Sequence, residues 1–364
     1  APDGELAWGG CEGAARSGGL RAGGDGVRLR GFTRPPGRAM LAPPTSLGGF
    51  MLVVCPNPTV DRQVLLGELL PGTVERAREN QAFPAGKSVS AARGCLANGA
   101  SPEVHVLLPR GGSAWYLQTL QDEGMDVTAR LIPGVGRESI IVYEDSGRVT
   151  VLNGAGARVS AGEWEAFVAA VCDRIPPGGW VICSGSFPPG VGPEALVDLV
   201  TRVAKAGGKL ALDTGPVWLP AALPARPWLI TPNLAEAEAV LSGEADSEPV
   251  EVGAAALERA VKAAAALHAR GIPEVVVTAG SAGAAWCTDD GSGRLAGLQV
   301  EVRNPIGAGD AFMGGLVSAL ERGEPFAAAV RWGMATACSA IEQWVPGGAV
   351  AERVGLHRAR LGHA

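Results

Sequence analysis

From residue 51 onward, short apolar runs alternate with stretches in which apolar positions return every three or four residues. The runs are Met51–Cys55, Val104–Leu108, Trp180–Cys183, Leu210–Leu212, Trp228–Ile230 and Val275–Thr278. Each reads as a buried strand. Between them, Val89, Ala92 and Leu96 keep helical spacing and end at Gly99, and residues 114–123 do the same before Gly124. Trp164, Phe167, Val168 and Val171 mark a further helix, and others follow over 193–206, 254–270 and 326–341. Strands alternating with helices in this way predict βαβ units around a parallel sheet, an α/β fold.

Two stretches break that rhythm. Residues 62–83 carry Val64, Leu66, Leu69 and Val74 among charged neighbours, an alternation suited to half-exposed strands. Ser139–Tyr143 and Val149–Leu152 flank Asp145-Ser146-Gly147-Arg148, a hairpin signature. Residues 1–50 have no sustained apolar period, only Gly-Gly and Pro-Pro pairs with scattered arginines. Such a segment buries too little to offset its ordering entropy. We therefore expect a disordered extension, native or left by an upstream start, with one domain over 51–364. The extension lacks the apolar centre of a secretory signal.

Composition narrows the class. The 364 residues allow one large α/β domain, and 47% hydrophobic content is ordinary for a globular core. A net charge of −6 without a basic cluster argues against nucleic acid as a partner. No apolar run approaches the ~18 residues that a membrane helix needs. The seven cysteines (Cys11, Cys55, Cys95, Cys172, Cys183, Cys287 and Cys338) are odd in number and dispersed, which reads as reduced thiols in a cytoplasmic protein. The four histidines show no metal-ligand spacing.

The densest chemistry lies at Asn304-Pro305-Ile306-Gly307-Ala308-Gly309-Asp310. Leu295–Val302 reads as a strand leading into it, and Ala311, Gly315, Leu316, Ala319 and Leu320 place a helix directly behind. Small residues at Gly307, Ala308 and Gly309 leave backbone N–H groups bare at the helix N-terminus, where the dipole also favours an anion. Asp310 stands in the first turn. A carboxylate beside an anion hole suits phosphoryl transfer: the base takes the proton of an attacking hydroxyl, and the N–H groups hold charge developing on the phosphate. Gly86-Lys87-Ser88 mimics the end of a P-loop. The glycine required five residues earlier is Gln81, so that reading fails.

The Gly307-Ala308-Gly309-Asp310 stretch resembles the signature of the ribokinase-like sugar kinases, the phosphofructokinase B family. The order of motifs is most similar to its 1-phosphofructokinase and tagatose-6-phosphate kinase branch. The resemblance spans about Met51 to Gly348. It implies a three-layer α/β/α sandwich with a mostly parallel central sheet, and a small β lid from about 60–83 and 137–152. It also implies an ATP- and Mg²⁺-dependent kinase. Asp310 would be the base, with Gly307, Ala308 and Gly309 as the anion hole. Asp61, Gly86, Lys87, Ser90, Arg137 and Ser139 would lie on the substrate side, with Gly185 and Ser186 nearby. Thr278, Gly280, Gly283, Gly307 and Gly309 would approach ATP. Asn233 and Glu236 match the family's magnesium-associated Asn-x-x-Glu, acting through water. The same pair also reads as a helix cap.

Three departures bear on substrate. Asn304-Pro305 stands where the family commonly has Asp or Ser followed by Thr. Ser90 replaces an asparagine, and Ser139 and Ile141 replace the lid arginine and asparagine of the sugar-phosphate branch. Arg137, two residues before Ser139 on the same strand face, is a substitute for the lost phosphate clamp. The resemblance therefore leaves three functions open: a sugar-phosphate kinase, a kinase of an unphosphorylated sugar or nucleoside, and a non-catalytic sugar-binding relative. A lid sheet with one apolar face could also pair two copies as a homodimer.

Overall fold

A computed structural model describes residues 50–243 and 254–362. The expectation for residues 1–50 lies, apart from Phe50, outside the described residues. Thirteen strands are found among them: β1 Met51–Cys55, β2 Thr59–Leu66, β3 Glu79–Ala85, β4 Glu103–Gly111, β5 Asp126–Val135, β6 Arg137–Glu144, β7 Val149–Asn153, β8 Trp180–Ser184, β9 Lys209–Asp213, β10 Leu229–Ile230, β11 Glu274–Thr278, β12 Gly283–Thr288 and β13 Gly291–Ala296. The helices are α1 Lys87–Ala97, α2 Ser113–Asp122, α3 Ala161–Cys172, α4 Pro193–Lys205, α5 Leu219–Ala222, α6 Leu234–Ser242, α7 Ala254–His268, α8 Ala308–Glu321, α9 Phe326–Ile341 and α10 Ala351–Leu361.

Nine strands form one sheet in the order β13-β12-β11-β10-β9-β8-β1-β4-β5. From β11 through β5 every neighbour is parallel, while β12 and β13 add an antiparallel edge. Period-two alternation decides which layer each residue joins. Leu52, Val54, Val181, Cys183, Leu210 and Leu212 face a cluster with α3, α4, α6 and α7. Met51, Val53, Cys55, Trp180, Ile182 and Ala211 face the opposite cluster with α1, α2, α8 and α9. The large sheet is thus buried on both faces, which is why its strands read as unbroken apolar runs.

The second sheet has the order β3-β2-β6-β7, with β2 and β6 parallel. Register puts Asp61 beside Ser139 and Phe83, so Thr59, Asp61, Gln63, Ser139, Ile141 and Tyr143 share one face. That face is buried.

One expected strand is displaced. Leu295–Val302 is not a strand: β13 ends at Ala296, and residues 297–303 are irregular. The apolar alternation of Leu298 and Val300 reflects packing on the α8 and α9 side rather than sheet pairing. At Gly297, where the chain leaves the sheet edge, a side chain would strike the carbonyl oxygen of Ser281 at 2.3 Å, so the close passage there needs glycine. The signature loop is reached through coil.

Candidate active site

Gly185 and Ser186, Asn233 and Glu236, and Gly280 follow the carboxyl ends of the parallel strands β8, β10 and β11, where open α/β sheets hold ligands. Gly307 opens α8 in a left-handed turn (φ 81°), and a side chain there would meet Gly347 N at 2.7 Å and Ser90 Oγ at 3.0 Å. Only glycine combines that dihedral with so close an approach. Among the described residues the N–H groups of Gly309 and Asp310 find no acceptor in the protein. Two free donors at a helix N-terminus form an anion cradle.

Asp310, in the same turn, is only 6% exposed. Burial is the main force that pushes its carboxyl up to about 7; Lys87 and a Ser184 hydrogen bond pull it down, while Asp213 and Glu236 push it further up. Ser184 Oγ lies 2.9 Å from Asp310 Oδ1 and 3.1 Å from Asp213 Oδ2. One hydroxyl carries one proton, so it can donate to only one of the two carboxylates at a time. Lys87 Nζ stands 3.7 Å from both Asp213 Oδ2 and Glu236 Oε1. These carboxylates, Asp213 first, hold the Lys87 ammonium well above its ordinary value despite the opposing effect of burial. The lysine is thus already paired with protein carboxylates.

Asn233 caps α6: its Oδ1 accepts Glu236 N–H at 2.9 Å, and Glu236 Oε2 accepts Asn233 N–H at 3.0 Å. The cap reading therefore holds. It also leaves Glu236 Oε1 turned toward Lys87. Burial, with Asp213, raises the Glu236 carboxyl.

A loop carries the site from Asp310 to the small sheet. Ser184 touches Asp310, and two residues on, Ser186 Oγ accepts from Arg137 Nη1 and Asn57 Nδ2, both at 3.1 Å. Arg137 borders Asp61 electrostatically. Asp61 is 6% exposed, its carboxylate forms no hydrogen bond among the described residues, and it is pushed up to about 6 by burial against the pull of Arg137 and Arg93. Arg137 has no carboxylate within ion-pair distance among the described residues, and its buried Nε lacks a partner. Burial lowers its guanidinium below the ordinary arginine value.

Most of the other predicted residues also make contacts within the protein. Ser90 is buried and directs its hydroxyl to Pro346 O at 3.4 Å, against the Gly307 turn. Ser139 bonds Thr59 and Asn153 across the small sheet, at 3.1 and 2.9 Å. Gly86 is the N-cap residue of α1. Thr278 ends β11, and its N–H bonds Pro232 O at 3.1 Å, next to Asn233. Gly280 lies open in the turn after it, whereas Gly283 is buried where a side chain would strike Leu295 O at 2.0 Å. The sequence places Ser184 and Asp213 at the ends of neighbouring strands, where ligands gather, but assigns neither a role; the register of β8 and β9 brings them together.

The family model described as pfkB family carbohydrate kinase matches residues 59–347. A 1-phosphofructokinase of Haemophilus influenzae is 30% identical over 291 residues, covering 79% of this chain and 89% of its own. Among solved structures, phosphofructokinase-2 from Escherichia coli superposes with a TM-score of 0.77 at 22% identity, over 87% of this chain and 100% of that one. Ribokinase from Thermotoga maritima gives 0.66 at 17% identity, over 85% and 98%. The fold is therefore that of the ribokinase-like kinases. The chain belongs to the pfkB family and is a carbohydrate kinase. No described helix is long and apolar enough to cross a membrane.

Proposed function

We propose that this chain transfers the γ-phosphoryl group of ATP to a hydroxyl of a ketose phosphate of the fructose 1-phosphate or tagatose 6-phosphate kind. The observation that carries this reading is Asp310, buried in the same turn as two N–H groups without acceptors. Asp61 would orient the sugar through its hydroxyls, since a buried carboxylate without a partner calls for donors. Asp310 would take the proton of the attacking hydroxyl. The new P–O bond forms as the bond to ADP breaks, and the free N–H groups of the α8 turn bind the charge on the transferred group. Thr278 and Gly280 would face the nucleotide.

A magnesium ion fits the donor set. Asp310, Asp213 and Glu236 are three carboxylates around the single ammonium of Lys87, a negative surplus that a divalent cation would offset. Among the described residues no group of three ligating side chains stands close enough to cage an ion. Asn233 and Glu236 would therefore hold it through waters, where it would neutralise phosphate charge.

Lys87 is neutralised by Asp213 and Glu236, so the sugar phosphate falls to Arg137, with Ser186 and Asn57 beside it. The test is the ratio of kcat/KM for fructose 1-phosphate over fructose, in wild type and in Arg137→Met. We expect the wild-type ratio to exceed ten and to collapse in the variant. A wild-type preference for fructose would instead select the uncharged-sugar reading, which the neutral Ser139 and Ile141 on the inner lid face favour. The outer lid face, with the exposed Ile140 and Leu152, would join two copies into a homodimer. We place the enzyme in the cytoplasm; its six described cysteines are all free thiols.

A further inference from the structure

Two side chains on the buried face of the small sheet reach the body of the protein. Tyr143 on β6 donates its hydroxyl to Asn304 Oδ1 at 2.8 Å. Gln63 on β2 donates its amide to Trp344 O at 3.0 Å. Asn304 joins the two contacts, because its own Nδ2 donates to the same Trp344 O at 2.8 Å. The Tyr143 ring also meets Trp344 edge-on, with centroids 6.1 Å apart.

Asn304 has a second duty. Its Oδ1 accepts the N–H of Ile306 at 2.9 Å, and Ile306 immediately precedes the Gly307 turn that exposes the free donors of α8. Asn304 is 1% exposed, and both lone pairs of its oxygen are used, one by the lid and one by the loop. Pro305 stands between Asn304 and Ile306. A proline fixes its own φ and stiffens the link, so a rotation of Asn304 passes to Ile306 with little slack. Asp61 is only 6% exposed on the same sheet face, so a movement of the small sheet that admitted a sugar to it would also withdraw the Tyr143 hydroxyl from the carboxamide.

We propose that Asn304 and Tyr143 are positioning residues that couple the seating of the lid sheet to the arrangement of the Ile306–Gly309 loop. The proposal rests on the reading of that loop as the cradle for the transferred phosphate. With the lid seated, Asn304 is locked and its oxygen holds Ile306, and through it the α8 turn. With the lid displaced, the carboxamide loses one donor and the loop loses its fixed acceptor. The cradle is thereby completed only when the sugar is covered, a gating role that binding energy in the lid can drive.

Hydrogen exchange on the ligand-free protein tests the coupling without any substrate. Tyr143→Phe keeps the ring against Trp344 and removes only the hydroxyl. Exchange in the segment 304–310 should rise about tenfold, although the substitution lies on the lid. Gln63→Met cuts the lid from Trp344 but spares the Tyr143–Asn304 bond, so exchange there should stay near wild type while the lid segments loosen. Asn304→Ser should reproduce the loop effect of Tyr143→Phe, and the double variant should be no worse than the worse single one. In turnover on fructose 1-phosphate, Tyr143→Phe should lower kcat about tenfold with little change in sugar KM. Faster exchange confined to the lid in Tyr143→Phe, or equal loosening of 304–310 by Gln63→Met, would overturn the proposal. Loop exchange that follows the proposal in an enzyme inactive on fructose 1-phosphate would refute the substrate reading alone.

Discussion

The two sheets of this protein bury their residues for different ends. Every strand of the large sheet sends apolar side chains to one helical layer or the other, and almost every polar group at its centre is a backbone group paired in the ladder. The inner face of the small sheet is equally hidden but carries Thr59, Asp61, Gln63 and Ser139. Three of those four find partners within the protein; Asp61 does not. Burying an unpartnered carboxylate costs free energy that a folding core would not tolerate. The large sheet is organised for stability, and the face of the small sheet for something that arrives later. Asp310, in α8 beside the carboxyl end of the central strand β8, belongs with the second kind.

The comparison is broken most severely at Asp310. Asp310→Asn keeps the size and removes the basic oxygen, so kcat should fall ~10²–10⁴ with ATP affinity little changed. Its carboxyl is pushed up to about 7 by burial, so wild-type kcat should also decline as pH falls through that value, because the base becomes protonated. The same raised value makes the ionised group a burden on the fold above pH 7. The variant should therefore melt higher than wild type at pH 8. Near-normal turnover, or a lower melting temperature at pH 8, would show that Asp310 is not the strained base described.

A substitution in the large-sheet core should do the reverse. Phe167 on α3 is fully buried in the cluster that covers β8 and β9. Phe167→Ala should cost roughly 3–5 kcal/mol of stability through lost burial and a cavity. At temperatures where the variant stays folded, its sugar and ATP KM should match wild type. Denaturant unfolding and steady-state kinetics on the same preparation decide this. A specificity change would mean that the large sheet is not a passive platform.

The sequence made these regions legible to different degrees, for a physical reason. The βαβ rhythm shows because strands buried on both faces must be apolar throughout, and Gly307–Asp310 shows because its turn, free donors and carboxylate are consecutive residues. Asp61 emerges only by resemblance, since a lone Asp after Pro58 is also a good turn former. Ser184 and Asp213 meet through the register of β8 and β9, and Tyr143 meets Asn304 across 161 residues. No local pattern encodes such meetings. Leu295–Val302 misleads because alternation reports which side chains are buried, not whether the backbone is paired.

The smallest effect concerns Asp61 and sharpens the contrast between the sheets. Burial raises its carboxyl from 3.8 to about 6, and the charges of Arg137 and Arg93 offset only part of that. The unfolded chain ionises near 3.8, so between that value and 6 the folded protein holds a proton that the unfolded one has released. The contribution of this group to stability is thus full below pH 3.8 and is lost as pH rises through 6. Asp61→Asn cannot ionise, so it escapes the loss. From pH 5 to pH 8 the variant should gain on the order of 1–2 kcal/mol relative to wild type, allowing for relaxation around a buried charge. Its sugar KM should rise over the same range, since it no longer presents a carboxylate to the hydroxyls. Denaturant midpoints of both proteins at the two pH values give the difference directly. Parallel pH curves for wild type and variant would mean that Asp61 is already satisfied without a ligand, and the small sheet would then be a second core rather than a cover for a sugar.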